Sequence, residues 1–270
     1  MTVPPMKGAL HVVEDGPADA PVLVLSGSLG STTEMWRPQL PALTDRFRVL
    51  RIDLRGHGGS PADPTPLDGP GTAPRYTVAD LAGDVLALLD GLGVGRVDWC
   101  GLSLGAMVGL HLASEAPGRI GRLALCCTSA HFPDPTSWHE RIAAVEGGGT
   151  ASVAEAVVAR WFTPGWAAAH ADVVASARAM VAGTDDAAYA GCCHALAVWD
   201  HRDRLPAISA PTLVVAGEDD LATPVEPHAR TIAAGVPGAR LKIVPGAHLA
   251  TIESADAVNA LLVEHLRQDR

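Results

Sequence analysis

The stretch CGLSLGAM, residues 100–107, follows the short apolar run RVDW and precedes VGLHLAS, which has helical spacing. Its centre, Gly101 to Gly105, matches G-x-S-x-G, a pattern that places a serine on a sharp turn between a strand and a helix. The glycines have a physical reason, because the serine backbone is strained there and side chains two residues to either side would collide. The stretch therefore predicts a nucleophilic serine, Ser103, at the carboxyl edge of a sheet.

Seven apolar runs have the composition of β-strands: LHVVED, PVLVLSG, RVLRIDLRG, RVDWCG, RLALCCTS, PTLVVAGE and RLKIVPG. Segments with apolar residues at helical spacing lie between them: VADLAGDVLALLDGLG, LGAMVGLHLASEAP and EPHARTIAAGVP. Continuous apolar strands that alternate with amphipathic helices predict an α/β fold, with a mostly parallel sheet covered by helices on both faces.

This alternation stops after Ser129. Four helix-like segments then follow one another: PTSWHERIAAVE, ASVAEAVVARWF, WAAAHADVVASARAMVAG and DAAYAGCCHALAVW. A helical block inserted into an α/β sheet predicts a cap over the site. We therefore expect a core formed by residues 1–130 and 204–270 and a helical cap formed by residues 131–203. We interpret PADPTPLDGPGTAP, residues 61–74, as a loop.

The composition limits the classes of function. A chain of 270 residues that is 48% hydrophobic can form one large core with an inserted subdomain. Its formal net charge of -10 argues against nucleic acid and against an anionic membrane surface as partners. The N-terminus lacks a secretory pattern and no apolar run approaches a membrane span, so we expect a cytoplasmic protein. The oligomeric state stays open.

The cysteines do not form a metal or redox pattern. They are odd in number and include two adjacent pairs: Cys100, Cys126, Cys127, Cys192 and Cys193. We interpret them as buried thiols in a reducing compartment. The CCH run at Cys192 to His194 is a poor start for a tetrahedral metal site, because adjacent residues on a helix point roughly 100° apart. We therefore expect no metal at this run and interpret its side chains as packed.

A serine nucleophile needs a base, and the base needs an acid that orients it. Among eleven histidines, His248 in PGAHLATIE follows the last predicted strand and so shares the sheet edge with Ser103. We interpret His228 and His265 as surface positions of helices.

The acid should follow the strand PTLVVAG. The spacing G-x-x-D-x-x-x-P in GEDDLATP selects Asp220, with Asp219 as the alternative. The resulting order of serine, acid and histidine is that of α/β-hydrolases.

Two backbone amides are candidate donors to an oxyanion. One is the amide of Leu104, at the N-terminus of the helix after the serine. The other lies in VLVLSGSLGSTTEMW: compared with the H-G-φ-P loop of related hydrolases, and with Trp36 as an anchor, it is the amide of Leu29. Gly27 stands where histidine is common.

A further glycine-rich stretch, RIDLRGHGGS at residues 51–60, is a recurrent loop of α/β-hydrolases. We expect Arg55 and His57 to brace its tight turn, without a catalytic role for His57.

Over essentially its whole length the chain resembles the 3-oxoadipate enol-lactonases. The resemblance lies in SGSLGSTTEMW, GLSLGAMVG, SWHERI, RWFTPGW, YAGCCHALAVWDHRDRL, GEDDLATP and GAHLATIE. The cap segments are the informative ones, since distant hydrolases share the triad but rarely the cap. The resemblance implies an α/β-hydrolase fold that opens 3-oxoadipate enol-lactone to 3-oxoadipate through an acyl-enzyme on Ser103, without a cofactor.

The substrate that the resemblance implies is an anionic lactone with a free carboxylate. A cap arginine should hold this group, since the guanidinium fork matches a carboxylate. Arg141 lies three residues after Trp138 and can share a helix face with it, so we expect Arg141 to bind the carboxylate and Trp138 to form a wall of the pocket. Arg160, beside Trp161, is the alternative, and ordinary solvation of either arginine stays open.

Two other classes of function remain. The triad order is shared by capped carboxylesterases and by C–C bond hydrolases of aromatic degradation, so the triad does not exclude them. A ligand-binding receptor on a hydrolase scaffold is also compatible with an intact triad, and turnover would separate it from an enzyme.

Overall fold

The computed structural model describes residues 10–62 and 75–267. Seven strands form one sheet in the order β1-β3-β2-β4-β5-β6-β7. Their bounds are β1 Val12–Asp15, β2 Val22–Ser26, β3 Arg48–Ile52, β4 Val97–Leu102, β5 Ile120–Cys126, β6 Thr212–Gly217 and β7 Arg240–Val244. Neighbours pair in parallel, except that β1 is antiparallel to β3. The predicted α/β fold is confirmed, and residues 63–74 of the predicted loop lie outside the described residues.

The α-helices are α1 Leu40–Leu43, α2 Val78–Gly91, α3 Leu104–Glu115, α4 Thr136–Gly148, α5 Ala151–Val158, α6 Pro164–Ala169, α7 Ala171–Ala182, α8 Asp186–Ala197, α9 Arg230–Gly235, α10 Ala250–Glu253 and α11 Ala255–His265. In the core, α2 packs on α3, while α1, α10 and α11 pack around a 3-10 helix at Thr33–Gln39. Of the helices in the described ranges, none combines the length and the apolar character that crossing a bilayer requires.

Helices α4 to α8 lie between β5 and β6, where α4 packs on α8 and α5 packs on α7. The two ends of this insertion meet, because His131 pairs with Asp200 as an isolated β-bridge and the His201 amide donates to the Ala130 carbonyl at 2.7 Å. The exact division at residues 131 and 203 stays a prediction. The predicted helix over WAAAHADVVASARAMVAG is two helices, since the backbone at His170 (φ -131°, ψ 53°) is not helical.

The surface interpretation of His265 is wrong. Its side chain is 3% exposed, and Nε2 lies 3.0 Å from the carbonyl oxygen of Leu123 on β5. Burial lowers the pKa of His265 to about 4, so the neutral ring joins α11 to the sheet. His228 is half-buried, with Nδ1 2.7 Å from Ser129 Oγ.

The turn between β4 and α3 has the predicted strain. Ser103 adopts φ 55° and ψ -115°, which few residues other than glycine tolerate. A Cβ on Gly101 would lie 2.4 Å from the Gly105 carbonyl oxygen, and a Cβ on Gly105 would lie 2.2 Å from the Ser26 carbonyl oxygen. Only hydrogen fits at both positions, so the two glycines let β4, α3 and β2 approach closely enough to form the turn.

Alanine at position 105 should therefore destabilise the fold. We expect Gly105→Ala to lower the free energy of unfolding by about 3 kcal/mol, because the clash is with backbone that no rotamer change relieves. Gly83 on α2 is the matched control, since a Cβ there meets nothing within 4 Å. Gly83→Ala should raise the free energy of unfolding by about 0.5–1 kcal/mol. Urea denaturation measures both, and equal effects would contradict the close approach at Gly105.

The buried His265 predicts a dependence of stability on pH. Its pKa is depressed in the folded state, so this contribution to stability is complete above the pKa of the unfolded chain and is lost as the pH falls from about 6.5 toward 4. Between pH 7 and 4.5 the intact protein should lose about 2 kcal/mol more unfolding free energy than His265→Gln. Parallel loss in both proteins, measured by urea denaturation, would argue against this role.

Candidate active site

The predicted site residues follow four strands of the sheet. Leu29 lies after β2, Ser103 after β4, Asp220 after β6 and His248 after β7. Because these strands are parallel, their carboxyl ends meet at one edge, which is where α/β sheets bind ligands. The topology thus brings together residues that lie up to 219 positions apart in the sequence.

Asp220 and His248 form a buried hydrogen-bonded pair. His248 Nδ1 lies 2.9 Å from Asp220 Oδ2, and the two residues are 3% and 2% exposed. An ionised carboxylate only accepts, so Nδ1 carries the proton and Nε2 is left as the basic nitrogen. Asp219 is exposed, and its amide donates to the Gly246 carbonyl. The structure therefore places Asp220, and not the alternative Asp219, against the histidine.

The Asp220 carboxylate is held on both oxygens. Oδ1 accepts from the amides of Ala222 (2.8 Å) and Thr223 (3.0 Å), and Oδ2 accepts from Thr223 Oγ1 (2.7 Å). Burial by itself would raise the pKa of Asp220. The charge of His248 and the hydrogen bonds from His248 and Thr223 outweigh burial and hold the pKa well below its usual value. The acid is therefore ionised and fixed in orientation.

Ser103 and His248 line one cavity. The serine backbone is fixed on both sides, since its N–H donates to the Cys126 carbonyl (2.9 Å) and its carbonyl accepts from Thr128 Oγ1 (2.9 Å). The residue is half-buried, as expected for a side chain at the wall of a cavity. The cavity thus brings together a candidate nucleophile and a candidate base, and the candidate base is paired with a carboxylate.

The amides of Leu29 and Leu104 fit the predicted oxyanion donors. Both residues are buried, at 5% and 0% exposure. Within residues 10–62 and 75–267, no protein group accepts a hydrogen bond from either N–H. Buried amide donors without an acceptor are rare, and two beside a candidate nucleophile are available to a developing negative charge.

His57 fixes the loop that carries Leu29. The amide of Gly30, the next residue, donates to His57 Nε2 at 2.9 Å, and His57 Nδ1 lies 3.0 Å from the Arg55 carbonyl. Burial lowers the pKa of His57, which favours the neutral ring with the proton on Nδ1. Arg55 in turn pairs with Asp84 through two hydrogen bonds of 2.6 Å. The two residues brace the RIDLRGHGGS turn, as predicted, and His57 also holds the Leu29 loop.

Gly27, which stands where histidine is common in this loop, is closely surrounded by side chains. A Cβ on this residue would lie 2.4 Å from Ser31 Oγ and 2.7 Å from Met35 Sδ. The space beside Gly27 is thus taken by the side chains of Ser31 and Met35. The Gly27 carbonyl instead accepts from the Gly105 amide at 3.0 Å, which joins the Leu29 loop to the turn at Ser103.

The cap closes the cavity with aromatic and cationic side chains. Trp138 packs edge-on against Phe132, with ring centroids 5.1 Å apart, and the Arg141 guanidinium lies 5.0 Å from the Trp138 ring centroid. Arg160 and Trp161 line the same cavity from the segment after α5. Both predicted cap residues, Trp138 and Arg141, and the alternative cation Arg160 therefore face the cavity of Ser103.

The two arginines are electrostatically unusual. In the part of the chain that the structure describes, neither has a carboxylate within ion-pair distance. Burial, together with the nearby charge of Arg141, lowers the pKa of Arg160, and its guanidinium donates to the Leu221 carbonyl beside the acid. Two cations in one small cavity of an acidic protein would be stabilised by an anionic ligand.

The cysteines are all free and buried. Cys127 is the other non-glycine residue with a positive φ (44°) in the described ranges, but burial raises the pKa of its thiol well above the usual value. Among the described residues, no three His, Cys, Asp or Glu side chains are grouped as a metal site would require.

Sequence reasoning missed contributions that come from contacts between distant residues. Thr223 had a local signal, since a threonine three residues after an aspartate can bond back to its carboxylate. The hydrogen bond between Gly30 and His57 joins residues 27 positions apart and has no local signal.

Comparison with known proteins gives the family. The family model described as alpha/beta hydrolase fold matches residues 20–255. The chain is 34% identical to 3-oxoadipate enol-lactonase 2 of Acinetobacter baylyi over 93% of this chain and 90% of the relative. It is also 34% identical to the putative carbamate hydrolase RutD of Variovorax paradoxus, over 95% and 96% of the two chains.

A solved structure agrees with these relatives. The crystal structure of the enol-lactonase from Burkholderia xenovorans superposes with a TM-score of 0.89 at 39% identity, covering 96% of each chain. The resemblance to enol-lactonases that the sequence indicated is confirmed. The chain belongs to the α/β hydrolase fold family, and it is a hydrolase with enol-lactonases among its relatives.

Proposed function

We propose that the protein hydrolyses 3-oxoadipate enol-lactone to 3-oxoadipate, with Ser103 as the nucleophile, His248 as the base and Asp220 as the acid that orients it. The observation that carries the proposal is the cavity itself. Ser103 and His248 line it from the core, and Arg141 and Arg160 line it from the cap. Among the described residues, neither arginine has a carboxylate partner. An anionic lactone of the kind that the relatives' name implies fits both sides.

The first half-reaction forms an acyl-enzyme. His248 Nε2 takes the proton of Ser103 as Oγ attacks the lactone carbonyl, and the amides of Leu29 and Leu104 stabilise the oxyanion. The ring C–O bond then breaks. The departing enol oxygen takes the proton from His248, and the enol, which stays attached to the acyl chain, tautomerises to the ketone.

The second half-reaction releases the product. His248 removes a proton from water, which attacks the acyl carbonyl, and the proton then returns to Ser103 Oγ as the ester bond breaks. The product has a new carboxylate at the reacting carbon and keeps the original one near the arginines. Lactone and water account for every atom of the product.

The carbamate hydrolases among the relatives indicate the main competing substrate. In a carbamate anion the negative charge belongs to the group that is attacked. In the enol-lactone the carboxylate is separate from the reacting carbonyl. Arg141 and Arg160 line the cavity from the cap, whereas the serine lies at the edge of the sheet. This division favours the second arrangement.

Replacement of the nucleophile tests the proposal directly. Ser103→Ala should lower kcat on the enol-lactone, followed by loss of its absorbance, by about 10⁴-fold or more. If the intact protein leaves the lactone unchanged and hydrolyses a carbamate or a p-nitrophenyl ester instead, the serine chemistry holds and the proposed substrate is wrong. Binding of the lactone without turnover would favour the receptor.

The two arginines can be separated by using a charged and a neutral substrate. Arg141→Gln should lower kcat/KM for the lactone by about 30-fold, which corresponds to the loss of one charge-assisted hydrogen bond. The kcat/KM for p-nitrophenyl acetate should change little, since this substrate has no carboxylate. Arg160→Gln should slow both substrates, since its guanidinium also donates to the loop beside Asp220. A lactone-specific loss in Arg160→Gln alone would assign the carboxylate to Arg160.

A further inference from the structure

The cap segment at residues 160–163, with sequence RWFT, is hydrogen-bonded to both loops that carry the acid and the base. The Arg160 guanidinium donates to the carbonyl of Leu221, the residue after Asp220. The amide of Leu249, the residue after His248, donates to the Trp161 carbonyl at 2.9 Å. The RWFT segment thus contacts the chain next to each member of the pair.

Glu253 on α10 strengthens the contact on the side of the base. Its Oε2 accepts from the amides of Thr163 and Ala247, both at 3.1 Å, and its Oε1 accepts from the Thr163 hydroxyl. Ala247 is the residue before His248. The carboxylate therefore joins the RWFT segment to the backbone on one side of the histidine, while the Leu249 amide joins it on the other side.

The packing around Glu253 also holds its side chain beside the loop that carries His248. Its side chain packs over Gly246, where a Cβ would lie 3.2 Å from Glu253 Cδ and where φ is 108°. In the described part of the chain its carboxylate has no cationic partner, so its hydrogen bonds to Thr163 and Ala247 are what hold it. Charge-assisted hydrogen bonds of this kind are about twice as strong as neutral ones.

We propose that Glu253 is a positioning residue that holds the His248 backbone against the RWFT segment of the cap, so that the orientation of the base depends on the cap. The inference rests on the proposed serine chemistry but not on the identity of the substrate. Reaction rates are sensitive to such positioning, because a displacement of about 1 Å at a reacting group can cost about 100-fold.

Variants on the two sides of the contact test the proposal. Thr163→Val removes the hydroxyl and keeps the shape, Glu253→Gln replaces one accepting oxygen with an NH₂ donor, and Thr163→Ser keeps the hydroxyl. Ser254→Ala is the matched control. It removes a 2.7 Å hydrogen bond to the Pro245 carbonyl in the same loop. Among the described residues, no hydrogen bond joins Ser254 to the RWFT segment.

The readout is the rate at which a fluorophosphonate modifies Ser103, together with kcat, KM and Tm. In this modification Ser103 Oγ attacks phosphorus, fluoride leaves and His248 takes the hydroxyl proton. Thr163→Val and Glu253→Gln should each slow the modification and lower kcat by about tenfold, with KM changed little. The double variant should be no slower than the slower single variant, since both substitutions act on the same hydrogen bond between the Thr163 hydroxyl and Glu253. Thr163→Ser and Ser254→Ala should match the intact protein.

The outcomes separate the two proposals. The inference is wrong if the fluorophosphonate modifies Ser103 in Thr163→Val as fast as it does in Ser254→Ala. It is also wrong if the loss of kcat follows the loss of Tm in all variants, because Glu253 then only stabilises the fold. If the intact protein is modified on Ser103 but does not open the lactone, the proposed substrate fails while the role of Glu253 is still measured. If the fluorophosphonate leaves Ser103 unmodified in the intact protein, both proposals fail.

Discussion

The close approach of three backbone segments at Ser103 is the constraint on which the site depends. Gly105 lies against the Ser26 carbonyl and Gly101 against Gly105, with no room for a Cβ at either glycine. This packing holds Ser103 in a left-handed conformation at the centre of the sheet. The same approach lets the Gly105 amide bond to Gly27, so the loop that carries one candidate oxyanion donor is fixed by the turn that carries the other.

The charges that line the cavity differ in sign from the net charge of the protein. The protein carries a formal net charge of -10, which by itself would repel an anionic substrate. Arg141 and Arg160 supply positive charge where the proposed carboxylate would lie, and Asp220 is occupied by His248 and Thr223. Because the Asp220 carboxylate is already satisfied by hydrogen bonds, its orientation is fixed for the proposed role of holding His248. In the proposed function, the positive charge of the two arginines therefore attracts the substrate despite the negative charge of the whole protein.

Local sequence signals predicted much of this structure. All seven strands follow from apolar runs, and the position of the elbow follows from its glycines, because both depend on residues adjacent in the chain. The break at His170 and the burial of His265 did not follow from apolar spacing, which reports a periodic face but not what covers it. The contact of Thr163 with Glu253 joins residues 90 positions apart, and only the fold reveals such a pair.

In the proposed reaction, Ser103 carries the acyl group during turnover. The most direct measurement is mass spectrometry of the peptide containing Ser103 after the intact protein is mixed with enol-lactone and quenched in acid before steady state. An acyl-enzyme on Ser103 would raise the mass of that peptide by the mass of one lactone, and the increase would be absent from Ser103→Ala. An adduct on another residue, or product formation while Ser103 stays unmodified throughout the pre-steady state, would contradict an acyl-enzyme on Ser103.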